Sequence, residues 1–220
     1  MTPFGVNAGI LGAVDLAFPY TAALSKTDGK VLSVLAGTTR PLGGREVARL
    51  AGVSQNGAWG ALRRLVGQGV VIEQPAGGRS MLYTLNRDHI AAEPIIALTR
   101  LQSILIERLK EHLAGWEVQP IHASIFGSAA RGDGDTESDI DILVIRPRDV
   151  EEDDDRWRSQ IDSLAGAIHP WTGNHAGIAE ISVRDLARLR RERPTVIESV
   201  NADGITLLGD EPSRLFRRRR

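Results

Sequence analysis

Apolar positions in the first half of the chain form two kinds of pattern. Between residues 29 and 87 they recur three times at helical spacing and then form two short runs, at 70–74 and 80–85, on either side of the turn 75–78. Helical spacing predicts amphipathic helices, and two short runs around a Pro-Gly turn predict paired strands. We therefore expect three helices and then a β-hairpin, at residues 30–36, 45–50, 55–67 and 70–85.

The connection between the second and third helices carries signals of its own. Gly52 suits the left-handed position at a helix end, and Ser54 is a natural N-cap for the next helix. On the second helix we expect Val47, Ala48 and Leu50 on one side. On the third we expect the core-facing residues to be Ala58, Ala61, Leu62 and Leu65, and the exposed ones to be Gln55, Asn56, Trp59, Arg63 and Arg64.

The second half mixes longer helical stripes with short apolar runs. A stripe over residues 90–116 predicts one connecting helix. The segment 169–175, which contains His169 and His175, is interpreted as a loop whose histidines are not ligands. Strands are expected near 121–126, 140–145, 178–183 and 205–208, and helices after Asp155 and at 183–191 and 194–201.

Composition changes this picture in three respects. The chain has no cysteine, which excludes disulfides and thiolate metal sites. It shows neither a basic signal-peptide region nor an apolar run of membrane-spanning length, so we expect a cytoplasmic protein without membrane contact. The net charge of −1 conceals an asymmetry: residues 26–88 carry +5, and residues 120–211 carry −9. A basic half indicates a nucleic-acid surface, and an acidic half indicates a metal-binding or solvated one.

The candidate chemistry lies in residues 125–145, IFGSAARGDGDTESDIDILVI. Side chains two apart on a strand share a face, so Asp139 and Asp141 point the same way, about 6.5–7 Å apart. Two such carboxylates can hold Mg²⁺, which prefers oxygen ligands and substrate phosphates. Gly127 allows a phosphate to approach the backbone, and Ser128 and Arg131 offer a hydroxyl and a cation to it.

The order of these residues resembles that of a known family. Gly127-Ser128-x-Ala130-Arg131-Gly132, followed by Ser138-Asp139-x-Asp141, is similar to the motif of DNA polymerase beta-like nucleotidyltransferases. The minimal nucleotidyltransferase (MNT) branch and the kanamycin-type antibiotic nucleotidyltransferases share this motif.

The resemblance implies a fold and a reaction. The fold is an α/β (α+β) domain on a mixed sheet, and the reaction is transfer of a nucleoside monophosphate from ATP or another nucleoside triphosphate with Mg²⁺ or Mn²⁺. It implies that Asp139 and Asp141 are catalytic metal ligands, with a third carboxylate on a later strand, for which Glu180 is the best positional match. The alternative for Glu180 is a strand residue at the sheet surface. The implied nucleotide-binding residues are Gly127, Ser128, Arg131 and Ser138.

The first half resembles a bacterial winged helix-turn-helix domain, through its element order and the turn at residues 51–54. The resemblance implies that the third helix enters the major groove of duplex DNA and that the hairpin contacts the backbone. The alternative is a small helical module for dimerisation or protein docking. The implied DNA-binding residues are Ser54, Gln55, Asn56, Trp59, Arg63, Arg64 and Arg79.

We therefore expect an arm (1–25), a winged helix-turn-helix domain (26–89), a connecting helix (90–117), a nucleotidyltransferase domain (118–212) and a basic tail (213–220), in a possible homodimer. MNT proteins often pair with an all-helical HEPN toxin, so the resemblance implies an autoregulating antitoxin that modifies or neutralises such a partner. The alternative is a DNA-binding regulator whose second domain only binds a nucleotide or a partner. Antibiotic modification is a third reading, in which a DNA-binding domain has no evident use.

Overall fold

The structure, a computed structural model, describes residues 13, 15, 17–78 and 80–216. These residues form two compact units. The N-terminal unit comprises residues 18–101. The C-terminal unit comprises the described residues before 18 and those from 102 onward. No described helix has both the length and the apolar character needed to cross a membrane.

The N-terminal unit consists of helices around a small antiparallel sheet with strand order β1-β3-β2. A 3₁₀ turn at Pro19–Ala22 precedes the first helix. The elements that follow are α1 (Lys26–Ala36), β1 (Leu42–Gly43), α2 (Gly44–Ala51), α3 (Gln55–Gly67), β2 (Val71–Pro75), β3 (Met81–Leu85) and α4 (Ala92–Leu98).

Local signals place the ends of these helices as predicted. Gly52 ends α2 in the left-handed conformation, with φ 59°. The Ser54 hydroxyl caps α3 by accepting a hydrogen bond from the Gly57 backbone N–H at 3.1 Å. The predicted core face of α3 is confirmed, because Ala58, Ala61, Leu62 and Leu65 are all buried.

The predicted face of α2 is partly wrong. Val47 and Ala48 are buried, but the third buried residue is Ala51, and Leu50 is 48% exposed. At about 100° per residue, Ala51 falls between Val47 and Ala48 on the helix surface, whereas Leu50 lies well outside that arc. The apolar side chain of Leu50 wrongly suggests burial, whereas its position on the helix correctly indicates exposure.

The C-terminal unit is a four-stranded mixed sheet with helices on both faces. The strand order is β6-β5-β4-β7, in which β5 and β6 run parallel and the other pairs antiparallel. A 3₁₀ turn at Val183–Asp185 follows β6. The elements are α5 (Leu101–Ala114), β4 (His122–Phe126), α6 (Gly127–Arg131), β5 (Ile140–Arg146), α7 (Asp155–Thr172), β6 (Ala176–Ser182), α8 (Leu186–Glu192), α9 (Thr195–Asp203), β7 (Ile205–Gly209) and α10 (Pro212–Leu215).

Alternation along β5 divides the core of this unit into two layers. Ile140, Ile142 and Val144 pack with α5 and α7, whereas Leu143 and Ile145 pack with α8 and α9 on the other face. The central strand is apolar on both faces because helices cover both, as expected for a buried strand. The predicted mixed sheet is confirmed.

Three predicted boundaries differ from the structure. The connecting helix is broken between α4 and α5, at Thr99 and Arg100. Residues 169–172 are the last turn of α7 rather than a loop, because the buried Ile168 and Thr172 hold the helix past Pro170 to Gly173. Residues 213–216 of the predicted tail belong to the fold, because α10 ends at Leu215 and Phe216 is 2% exposed and packs with α8 and α9. Residues 217–220 lie outside the described part.

Candidate functional site

The two motif carboxylates lie where β4 and β5 meet at one edge of the sheet. Phe126, the last residue of β4, is paired with Asp141, the second residue of β5. Asp139 comes one residue before β5 begins. Asp139 is exposed and Asp141 is half-buried. The turn that begins at Gly127 therefore starts directly beside Asp141.

Two glycines leave room for the Asp141 carboxylate. Gly127 has φ +68°, and a Cβ there would lie 2.8 Å from Oδ2 of Asp141. Gly177 is paired with Asp141 on β6, and a Cβ there would lie 2.7 Å from Oδ1. Both distances are shorter than ordinary Cβ contacts, so a side chain at either position would make the Asp141 carboxylate shift, and at Gly127 the positive φ also favours glycine. Sequence reasoning missed Gly177, although a glycine inside a strand signals close approach of another group.

Neither carboxylate forms a stabilising contact with the described part of the chain. Among the described residues, no hydrogen bond or ion pair reaches the side chain of Asp139 or Asp141. Burial, and next the charge of Asp139, raise the pKa of Asp141. A bound cation would relieve both penalties, and paired carboxylate oxygens are the donors that Mg²⁺ and Mn²⁺ take. The donor set therefore fits the implied metal.

Glu180, the residue predicted as a third ligand, does not lie beside this pair in the structure. Glu180 is paired with Val144, so its side chain is on the α7 face, opposite to that of Asp141. There its Oε1 lies 2.9 Å from Nε of Arg146, whose side chain is 9% exposed. The two atoms are at ion-pair distance without the alignment of a hydrogen bond. In the described part of the chain, no three His, Asp or Glu side chains form a metal-binding group.

Two predicted nucleotide-binding side chains are engaged in local contacts. Arg131 forms ion pairs with Asp133 at 3.0 Å and Asp203 at 2.8 Å, and these contacts raise its pKa further. The Ser138 hydroxyl donates to the Asp135 carboxylate at 2.9 Å and accepts from the Asp135 backbone N–H at 3.0 Å. Both residues therefore stabilise the loop between α6 and β5. Ser128 lies in the first turn of α6.

On the N-terminal unit, the predicted DNA-binding residues of α3 differ in whether they are exposed or engaged in contacts within the fold. Gln55, Asn56 and Trp59 are exposed on α3, and Trp59 is 62% exposed. The Arg63 guanidinium lies 5.5 Å from the Trp59 ring centroid. Arg64 instead forms an ion pair with Asp28 of α1 at 2.6 Å.

The remaining two predicted DNA-binding residues have other outcomes. Ser54 serves as the cap of α3, and Arg79 lies outside the described residues. A cavity of about 740 Å³ lies along the exposed face of α3 and the hairpin, lined by Gln55, Asn56, Trp59, Glu73 and Tyr83 among others.

Comparison with known proteins finds one similarity to a protein family and several to solved structures. A family model for a nucleotidyltransferase domain matches residues 103–192, less than half of the chain but including Gly127, Ser128 and both carboxylates. No curated protein matches the chain.

Similar solved structures include a toxin-antitoxin crystallised with AMP-PNP, with TM-score 0.35 and 21% identity. Another is a mutant of the toxin-antitoxin MntA-HpeT, with TM-score 0.35 and 18% identity. Each comparison covers 50% of this chain and 79% of the other.

Proposed function

We propose that the C-terminal unit transfers a nucleoside monophosphate from ATP or another nucleoside triphosphate to an acceptor. The observation that carries this proposal is the Asp141 carboxylate, half-buried between two glycines beside Asp139 and without a partner in the described structure. Burying an unpaired charge has a cost, and a fold retains it where the charge is used. The family match over residues 103–192 supports the same reaction.

In the proposed reaction the acceptor hydroxyl attacks the α-phosphorus. A new P–O bond forms, the hydroxyl proton is released to water, the bond from the α-phosphorus to the bridging oxygen of the β-phosphate breaks, and pyrophosphate leaves with the electron pair. Asp139 and Asp141 would hold one or two Mg²⁺ or Mn²⁺ ions, which supply charge stabilisation to the phosphoryl oxygens. Gly127 admits the triphosphate close to the backbone, and Ser128 offers its hydroxyl to the β- and γ-phosphates.

The acceptor is the least defined part of the proposal. The motif resemblance to MNT proteins supports a helical HEPN-type toxin protein as the partner that is modified, while RNA and small molecules are the other acceptors to test. The opposing hypothesis is a regulator that binds the nucleotide or the partner without catalysis. It differs from the enzyme in one measurable respect, the covalent transfer of label.

Transfer of nucleotide labelled at the α-phosphate tests the enzyme directly. With Mg²⁺, the wild-type protein is expected to label an acceptor. Asp139→Asn and Asp141→Asn are each expected to reduce the rate at least a hundredfold, because they remove stabilisation of charge that develops in the transition state. Asp162→Asn is the matched control, since Asp162 is an exposed acid on α7. Absence of label from every candidate acceptor with the wild type contradicts the enzyme and leaves the regulator.

A second function, binding of duplex DNA by the N-terminal unit, is favoured by the exposed face of α3. Gln55, Asn56, Trp59 and Arg63 combine amide, aromatic and cationic groups on one helix. Amides and cations read base edges and phosphates, and an apolar ring contacts thymine methyl groups. The proposal predicts a complex whose affinity falls steeply as salt rises.

A further inference from the structure

A pair of stacked histidines lies at the same edge of the sheet as the carboxylates. The backbone N–H of Ile140, the residue after Asp139, donates to the carbonyl oxygen of His175 at 2.8 Å. The buried Asn174 donates its side-chain amide to the Ser138 carbonyl at 3.0 Å. The segment before β6 is therefore fixed alongside the start of β5, and Asp139 and His175 directly precede the paired residues Ile140 and Ala176.

The His175 ring is already held in a stacked arrangement. It lies 5.2 Å from the ring of His169, centroid to centroid, with the planes inclined by 9°. His169 belongs to the last turn of α7, and its Nδ1 is buried. His175 is exposed. One ring is thus anchored in the protein, and the ring above it is accessible to a ligand.

Three neighbouring strands arrange the groups of this edge in a row. The Gly127-Ser128 turn follows β4, the carboxylates lie at β5, and His175 precedes β6. The row spans two strand spacings, about 10 Å. A nucleoside triphosphate with its β- and γ-phosphates at the turn and its α-phosphate at the carboxylates continues toward β6 with its nucleoside. The group available there is a planar ring, and nucleobases stack on aromatic side chains.

We propose that His175, supported by His169, is the stacking surface for the nucleobase of the substrate. This inference rests on the proposed function, since it places the triphosphate by the carboxylates and the Gly-Ser turn. It assigns to His175 a specificity role: a purine overlaps an imidazole ring more fully than a pyrimidine does, so purine triphosphates bind more tightly.

Calorimetry on the full-length protein in Mg²⁺ tests the role of His175 with ATP, CTP and ribose 5-triphosphate, which has no base. His175→Ala is expected to weaken ATP binding about tenfold, and binding of ribose 5-triphosphate is expected to stay unchanged. His175→Phe keeps a planar ring and is expected to bind ATP as the wild type does. His112→Ala is the matched control: His112 also makes a ring contact in this unit, with Trp171, but has no link to β5.

The outcomes separate the two proposals. Wild-type affinity for ATP in His175→Ala overturns the stacking role and leaves the proposed function intact. An equal loss for ATP and ribose 5-triphosphate also overturns it, because His175 would then act on the phosphates or on the fold. If the wild type binds no nucleoside triphosphate in Mg²⁺, the proposed function itself fails.

Discussion

The Asp141 carboxylate lies at the sheet edge in conditions that disfavour its charge. It is half-buried, Asp139 is adjacent, and the described residues offer it no donor. Its folded-state pKa is therefore raised above the unfolded value. Below the ordinary aspartate pKa both states are protonated and the penalty is absent. As pH rises, Asp141 ionises first in the unfolded state, and this lowers the free energy of unfolding. The loss persists at neutral pH.

Asp141→Asn is therefore expected to melt at a higher temperature than the wild type at pH 7, with the difference vanishing as pH falls below the ordinary aspartate range. Mg²⁺ should raise the melting temperature of the wild type and not of the variant, since a ligand at a hundred times its Kd adds about 2.7 kcal/mol. Thermal melts across pH, with Asp162→Asn as control, measure both effects. A variant less stable than the wild type at pH 7 would show that the carboxylate supports the fold.

Residue types and spacing predict the carboxylate pair but not the third member of the site. Asp139 and Asp141 are two apart on one chain segment, so their relation needs no knowledge of other strands. Glu180 belongs to another strand, and its face relative to Asp141 depends on the register between β5 and β6. The register between β5 and β6 depends on side-chain packing on both faces of the sheet. The residues around Glu180 in the sequence do not determine it.

Successive residues of strand β6 contact different helices, because their side chains point to opposite faces of the sheet. Its residues Ala176 and Ile178 pack toward α7, Ala179 and Ile181 pack toward α8, and Glu180 meets Arg146. Arg146 also donates to the Val150 carbonyl at 3.2 Å. The ion pair therefore joins the end of β5, the loop after it and β6.

Glu180→Gln is expected to lower the free energy of unfolding by about 2 kcal/mol, because it removes the nearer and less exposed counter-charge of the nearly buried Arg146. Nucleotide binding in Mg²⁺ is expected to remain at the wild-type level. Denaturant unfolding and calorimetry report the two quantities. Glu152→Gln is the control, because Glu152 is 86% exposed and lies 3.9 Å from Arg146. Unchanged stability with loss of Mg²⁺-dependent binding would restore Glu180 as a metal ligand.

The spacing of apolar residues predicts which segments are helices but does not predict where those helices break or end. The apolar stripe continues through residues 90–116, yet the helix breaks where the Thr99 hydroxyl donates to the Ile96 carbonyl at 2.8 Å. Conversely, Pro170 predicts an end that does not occur, because the apolar face of α7 continues beyond it. At Pro170 tertiary packing therefore outweighs the local signal, whereas at Thr99 a local hydrogen bond accompanies the break.

At the scale of the whole molecule, the two units have separate cores. One core is built from residues 31–95, and the others from residues 105–216. The charge asymmetry in the sequence follows the same division, with a basic first unit and an acidic second. Composition and element order therefore predict two domains. Composition and element order do not identify what the N-terminal unit binds. Its binding properties depend on which arginines of α3 have no acidic partner within the fold.

The ion pair between Arg64 and Asp28 makes that question testable. Arg63→Ala is expected to weaken binding to duplex DNA and to reduce the salt dependence by about one charge, whereas Arg64→Ala is expected to change little, because its cation is already neutralised. The two variants remove the same group from adjacent residues, so each controls for the other. Electrophoretic shifts of full-length protein at several salt concentrations provide the measurement. Equal losses in both variants would show that α3 does not bind DNA in this orientation.

The glycine beside Asp141 also limits how this site can evolve. An acid at position 177 would place a new carboxylate next to Asp141, but its Cβ would first displace the carboxylate already there, at 2.7 Å from Oδ1. A lineage starting from this sequence therefore reaches a three-acid site at position 177 only if the Asp141 carboxylate moves from its present place. A single change at position 177 therefore disturbs the existing pair of carboxylates in the same step that adds a third one.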